Sequence, residues 1–164
     1  MQLRNQVEWA IHCCVLLSGL PPGVHLGTKK LAEFHGVPKE YLSKALQALA
    51  QDGILTGTLG PTGGYRLARE AVKISCLDIV EAIEGKRRTF VCEEIRLNNP
   101  CLKGAERKPK AVCGIARVMY GADEAWRNEL RSTTVADLAE TLQQTVSGET
   151  LDRSQEWLAK KSSI

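Results

Sequence analysis

Apolar residues recur every three or four positions near the start of the chain, which is the spacing of an amphipathic helix. Val7, Ile11 and Val15 follow this spacing and predict a first helix over about Asn5–Ser18, with Gly19 at its end. This helix is the first of several helical segments in the sequence.

Two further short helices are predicted next, separated by a tight turn. We expect Thr28 to cap the segment TKKLAEF, and Pro38 suits the first turn of the segment PKEYLSKALQALAQDG. The residues His35, Gly36 and Val37 lie between the two segments. Two short helices joined in this way are typical of a helix-turn-helix.

A β-hairpin is predicted directly after the third helix. The β-prone runs Ile54–Leu59 and Tyr65–Leu67 flank the turn-rich segment GPTGG. A hairpin in this position indicates a winged helix. A fourth helix is expected near residues 77–84, ending at Gly85.

The second half of the chain begins with a segment that has no clean period. Residues 86–112 are rich in Lys, Arg, Pro, Asn and Gly, and a loop of this length is usually functional or disordered. A long helix with an apolar stripe is predicted over Gly114–Arg131, and Thr134 is expected to cap VADLAETLQQT. The tail after Ser147 is expected to form a short helix around Trp157 or to stay mobile.

The predicted fold class is mainly α with a small β-wing: a winged helix-turn-helix followed by a long C-terminal helix. We expect a winged-helix domain over residues 1–85 and a cysteine-containing loop over 86–113. Long helices would occupy residues 114–146, and residues 147–164 would form a tail.

Composition changes this picture only slightly. The 164 residues are 43% apolar and 5% aromatic, and the net charge of +3 does not by itself indicate a partner. Because no apolar run is long enough to cross a membrane and no signal peptide is recognised, we expect a cytoplasmic protein. In that reducing compartment the six cysteines favour metal binding or redox sensing over disulfides.

An enzyme is disfavoured. The sequence contains nothing that resembles a phosphate-binding loop, a nucleophile elbow or a paired-carboxylate site.

The third helix and the hairpin supply candidate DNA contacts. The buried face of the helix would leave Lys39 and Lys44 to neutralise phosphates, and Ser43 and Gln47 to contact base edges. The whole candidate set is Lys39, Tyr41, Ser43, Lys44, Gln47, Thr62 and Arg66, with the last two in the wing. A solvated helix beside an ordinary hairpin is the alternative, but the order of the motifs favours DNA binding.

Three cysteines lie in or beside the unpatterned segment. Cys92, Cys101 and Cys113 have the spacings C-x8-C and C-x11-C, which match neither zinc ribbons nor ferredoxins. By spacing alone they could be unremarkable surface thiols. Soft thiolates in a basic loop could also bind an iron–sulfur cluster. The remaining cysteines are expected to be small buried hydrophobes: Cys13, Cys14 and Cys76.

Glu8 and His12 are spaced i, i+4, so both side chains lie on one face of the first helix. They could be an exposed pair with little consequence or two ligands that complete a metal site.

The run YLSKALQALAQDGIL followed by GPTGGYRLAR resembles the Rrf-type family of winged-helix iron–sulfur transcription regulators. The resemblance covers about residues 1–145, including DIVEAIEG, the cysteine loop and the long helix. It implies a homodimer that binds a palindromic double-stranded DNA operator. The long C-terminal helix would carry the dimer contact, and a cluster would be bound near its start.

The same resemblance implies a ligand set. Cys92, within FVCEEIR, matches the first family cysteine, and Cys113, within AVCGIARVM, matches the last. The opening VEWAIHCC resembles redox-sensing family members that hold a 2Fe–2S cluster with two cysteines of one subunit and a Glu and a His of the other. The matching positions are Cys92, Cys113, Glu8 and His12. Trp9 could shield the site or rearrange with redox state, or simply pack.

The predicted function is therefore that of a repressor responsive to redox state or nitric oxide. One alternative has no cluster and uses thiol oxidation at Cys92, Cys101 or Cys113 as the switch. Another is a 4Fe–4S cluster held by the three cysteines and Glu8, which would make Cys101 essential.

Overall fold

The computed structural model describes residues 2–58, 60, 63–102 and 111–161. The helices are α1 (Asn5–Ser18), α2 (Thr28–His35), α3 (Lys39–Gln51), α4 (Cys76–Glu84), α5 (Gly114–Ser132), α6 (Val135–Thr145) and α7 (Gly148–Lys161). The strands β1 (Leu55–Gly57) and β2 (Tyr65–Leu67) form a two-stranded antiparallel sheet. The predicted fold class, mainly α with a small β-wing, is confirmed.

Helices α2 and α3 form the predicted helix-turn-helix. Gly36 follows α2 in the left-handed conformation, with φ of 64°, which a glycine adopts without strain. The predicted cap at Thr28 is wrong, because the chain enters the helix one residue earlier. Gly27 is the N-cap, and its carbonyl accepts hydrogen bonds from the Lys30 and Leu31 amides.

The wing is attached to the rest of the fold through a third extended segment. Leu55 pairs with Leu67, and Gly57 pairs with Tyr65. Tyr65 also exchanges two backbone hydrogen bonds of 3.0 Å with Leu26, just before α2. The base of the wing is therefore hydrogen-bonded on both sides.

The core is aliphatic and lies between the helices. Its largest fully buried apolar side chains include Leu26, Leu31, Leu42, Leu46, Leu49, Ile54, Leu55, Ile74, Ile79 and Val135. The three cysteines expected to be buried hydrophobes are buried, and burial raises the pKa of Cys13 to about 12. Thiols in this state are poor nucleophiles and poor metal ligands.

Helix α6 returns to this core after α5. Thr134 caps it as predicted, in a capping box with Asp137, and the next residue, Val135, is fully buried. The tail forms the 14-residue helix α7, longer than the short helix expected around Trp157. Within the described ranges, no helix is long and apolar enough to span a membrane.

Candidate functional site

Helix α3 presents two contrasting faces. Its apolar residues Leu42, Ala45, Leu46 and Leu49 are buried. The predicted DNA-contacting residues on the helix lie on the other face, where Lys39, Tyr41, Lys44 and Gln47 are exposed and Ser43 is partly exposed. On β2, Arg66 is exposed, whereas Thr62 lies outside the described residues.

The cysteine loop is organised by Arg96. Its guanidinium binds the Glu94 carboxylate with two nitrogens, and Nη2 also donates to the Ala111 carbonyl at 2.9 Å. The thiols of Cys92 and Cys113 are both close enough to this guanidinium to interact with its charge. Arg96 therefore joins the two arms of the loop that carry the predicted ligands.

Cys113 occupies the N-cap of α5. The backbone amides of Ala116 and Ile115, at the start of α5, and the Arg96 charge lower the pKa of this thiol. Hydrogen bonds from helix N-terminal amides favour the thiolate, the form that binds metals and reacts with oxidants.

Glu94, between Cys92 and Arg96, has a positive φ of 52°. Left-handed backbone is uncommon for a residue other than glycine and often accompanies functional loops. Here it turns the chain so that the Glu94 carboxylate meets the Arg96 guanidinium.

Cys101 is exposed, and its backbone amide donates a hydrogen bond to Oδ1 of Asn99 at 2.9 Å. In the described part of the chain, no three or more His, Cys, Asp and Glu side chains are gathered closely enough to hold a metal ion. The structure therefore brings Cys92 and Cys113 near a common arginine, and the described residues of one chain do not gather a complete set of ligands.

Glu8 and His12 are both exposed on α1. Together with Leu3 and Ile11 they line an open groove of about 450 Å³. Trp9, beside them, is partly buried and packs against the core.

His35 is a neighbour of this face that sequence reasoning did not single out. Its ring centroid lies 5.8 Å from that of His12, and burial, assisted by His12, lowers the pKa of His35 to about 4. Its Nε2 has no hydrogen-bond partner among the described residues. His35 is therefore neutral at physiological pH.

Sequence reasoning also missed a partly buried ionic network between the loop and α5. Asp123 is 6% exposed and pairs with Arg127 at 3.2 Å. The spacing of these two residues, i, i+4, was the one available signal, but such pairs are usually exposed. The pairing of Arg96 with Glu94 had no comparable signal, because it depends on an unusual backbone conformation.

Residues 3–141 match the model of the Rrf2 family, described as an iron-dependent transcriptional regulator. Protein rrf2 of Nitratidesulfovibrio vulgaris is 34% identical over 111 residues, covering 67% of this chain and 68% of that protein. YffB of Lactococcus lactis is 28% identical over 158 residues, covering 96% of this chain and 97% of that protein.

Solved structures share the fold. CymR of B. subtilis, the global cysteine regulator, superposes with a TM-score of 0.68 at 19% identity, covering 86% of this chain and 98% of CymR. IscR of T. potens superposes with a TM-score of 0.65 at 20% identity, covering 92% of this chain and 96% of IscR.

Proposed function

The chain belongs to the Rrf2 family of transcriptional regulators, and from this premise we propose that it is a cytoplasmic, homodimeric repressor that carries a 2Fe–2S cluster between its subunits. One observation carries the proposal: Arg96, four residues after Cys92, donates a hydrogen bond to the Ala111 carbonyl, two residues before Cys113, at 2.9 Å. The start of α5 and the Arg96 charge lower the pKa of the Cys113 thiol. Redox state or nitric oxide would be the signal.

The chemistry of the donor set fits such a cluster. Each chain offers two soft thiolate ligands at Cys92 and Cys113, which suit iron. The exposed pair Glu8 and His12 offers a carboxylate oxygen and an imidazole nitrogen from the partner subunit. When bound, a 2Fe–2S cluster supplies one-electron redox chemistry, and a histidine ligand in place of a thiolate raises its potential.

Helix α5 supplies the surface for a second copy. Ile115 and Val118 are each 70% exposed and Met119 is 40% exposed, all on one side of the helix. A contiguous exposed apolar stripe of this kind marks an interaction surface. Because Cys113 begins the same helix, a dimer formed through α5 would bring the cluster ligands close to the subunit interface.

The DNA surface follows from the exposed face of α3. Lys39 and Lys44 would bind phosphates, and Ser43 and Gln47 would contact base edges. Tyr41, Thr62 and Arg66 are the remaining candidate DNA contacts. Two such helices in a dimer would fit half-sites of a palindromic operator.

Anaerobic purification tests the proposal. We expect two iron and two sulfide per subunit and visible absorption from a 2Fe–2S cluster. Substituting Glu8 and His12 with alanine should change that spectrum, because two of the four ligands would be lost. Matched controls are Glu93→Ala, beside Cys92, and His25→Ala, and both should leave it unchanged. Protein without iron and sulfide would contradict the proposal.

A second candidate is a cluster-free thiol switch. It is favoured by the lowered pKa of Cys113, because the thiolate is also the form that oxidants attack. In that case the iron-free protein would respond to peroxide with a change in DNA affinity that Cys113→Ser abolishes.

Substituting Cys101 with serine separates the remaining alternative, a 4Fe–4S cluster held by three cysteines and Glu8. Loss of the visible spectrum in C101S would favour it, whereas an unchanged spectrum favours the 2Fe–2S set.

A further inference from the structure

Arg127 of α5 joins three parts of the fold at one point. Its Nε donates to the Asp123 carboxylate on the same helix, and its Nη1 donates to the Glu81 carboxylate on α4. Its Nη2 donates to the backbone carbonyl of Arg87, at the start of the cysteine loop, at 2.7 Å. One guanidinium therefore links the long helix, the winged-helix domain and the loop.

Asp123 holds the loop at a second place. Its Oδ1 accepts hydrogen bonds from the Thr89 amide at 3.2 Å and from the Thr89 hydroxyl at 2.7 Å. These bonds and the pair with Arg127 lower the pKa of Asp123, so it stays ionised. Thr89 is three positions before Cys92.

The network is protected from solvent. The side chains of Asp123, Arg127 and Glu81 are 4%, 12% and 20% exposed. Removing one partner from a buried ionic group leaves the others uncompensated, so such networks resist partial rearrangement. A displacement of residues 87–89 must therefore either carry Arg127 and Asp123 with it or break charged hydrogen bonds.

Helix α4 connects this point to the DNA-binding half. Its residues Ile79, Val80 and Ile83 are buried in the same core as Leu42 and Leu46 of α3. A change in the position of Glu81 therefore acts on a helix packed within the winged-helix core.

We propose that Arg127 and Asp123 are positioning residues that couple the state of the Cys92–Cys113 loop to the winged helix. This inference rests on the proposed function, because it assigns the route by which that loop affects DNA binding. Among the described residues, the hydrogen-bond partners of Arg127 and Asp123 outside the pair are Glu81, Arg87 and Thr89, none of which is a predicted cluster ligand or DNA contact.

The test compares the DNA affinity of the oxidised protein with that of the reduced protein. Oxidised and reduced full-length proteins are titrated against operator DNA at one fixed salt concentration. In the native protein we expect the affinities to differ by about tenfold or more, within the usual range of allosteric coupling. In Arg127→Gln the two affinities should agree within about twofold, with iron and sulfide content unchanged.

Matched controls lie on the same helix. Arg131 and Glu124 form an ion pair whose side chains are 52% and 58% exposed. Arg131→Gln and Glu124→Gln should keep the native difference between the states. A purely structural role of Arg127 would lower the melting temperature and both affinities together without changing their ratio, and a native ratio in R127Q overturns the inference.

A milder variant covers the case in which R127Q does not fold. Thr89→Val removes the hydroxyl donor to Asp123 but keeps the amide, and it should reduce the ratio between the states part of the way. A native ratio in folded T89V then overturns the inference.

Failure of the cluster proposal is recognised separately, by the absence of iron and sulfide. The same comparison is then made between reduced protein and protein whose accessible thiols are alkylated with iodoacetamide. The coupling is supported if the DNA affinities of the reduced and alkylated native protein differ and if R127Q or T89V reduces that difference. Equal affinities of the two native forms in this comparison overturn it.

Discussion

Gly64 is a residue whose identity is dictated by its surroundings. A Cβ added there would lie 2.5 Å from the carbonyl carbon of Leu26 and 2.7 Å from the nitrogen of Gly27. Both atoms belong to the backbone and cannot rotate away. The pairing of Tyr65 with Leu26 therefore requires glycine at the preceding position.

We expect Gly64→Ala to detach the base of the wing. The clash should destabilise the fold by about 1–3 kcal/mol, the usual cost of overpacking. Thermal unfolding measures this loss, and DNA affinity should fall with it. Gly57→Ala is the control, because its added Cβ meets the ring of Tyr65 at 3.2 Å and a backbone atom, the Gly64 carbonyl oxygen, only at 3.8 Å. Equal melting temperatures for the two variants would contradict this account.

The cysteines show how strongly the environment shifts the pKa of chemically identical side chains. Burial raises the pKa of Cys13 to about 12, whereas helix amides and Arg96 lower the pKa of Cys113. In the sequence, these thiols differ only in the pattern of the residues around them. Cys13 lies within an amphipathic helix, where a cysteine is usually buried, whereas Cys113 lies at the edge of the unpatterned segment. The contribution of Arg96 was not visible in that pattern.

Among the elements, α7 has the least expected position. Trp157 packs edge-on against Phe34 of α2, with ring centroids 5.1 Å apart. Lys161 pairs with Glu33 at 3.1 Å, and the Lys161 carbonyl accepts a hydrogen bond from Lys30. The C-terminal helix is thus docked on the first helix of the helix-turn-helix.

Trp157→Ala should release α7 from α2. We expect a loss of about 1–2 kcal/mol, since aromatic pairs add to the burial of their apolar area. Hydrogen exchange should rise across residues 148–161. Glu156→Ala changes an exposed residue of the same helix and serves as the control. Unchanged exchange in W157A would show that the aromatic contact does not hold the helix.

At the scale of the whole molecule, one apolar face of α5 is left exposed by the described part of the chain. Ile115, Val118 and Met119 follow helical spacing and are exposed, although most other large apolar residues of the helices pack inward. The proposed dimer would cover this face and would bring two winged helices into one particle.

Val118→Glu should therefore weaken dimerisation, because it places a charge in the apolar interface. Sedimentation should then show mainly monomer at concentrations where the native protein is a dimer. Glu124→Arg, on the opposite side of α5, should remain dimeric. A V118E protein that sediments as the native protein does would exclude this face as the interface.

The helices and the wing could be predicted because their signals are local. Helical spacing of apolar residues, Gly36 after α2 and the GPTGG turn each depend on residues close in the chain. The exposed face of α3 followed from the same periodicity. Thr28 was wrongly placed as a cap because helix ends depend on which carbonyl first accepts a bond, and neighbouring residues compete for that position.

The sequence by itself determined the order of elements, the winged helix and the thiols in the loop. Only the tertiary structure decided which distant groups meet: Arg96 with the Ala111 carbonyl beside Cys113, α7 with α2, and Asp123 with Thr89. These contacts join residues far apart in the chain, and nothing in local periodicity specifies them. Their energies depend on burial and distance, which exist only once the chain has folded.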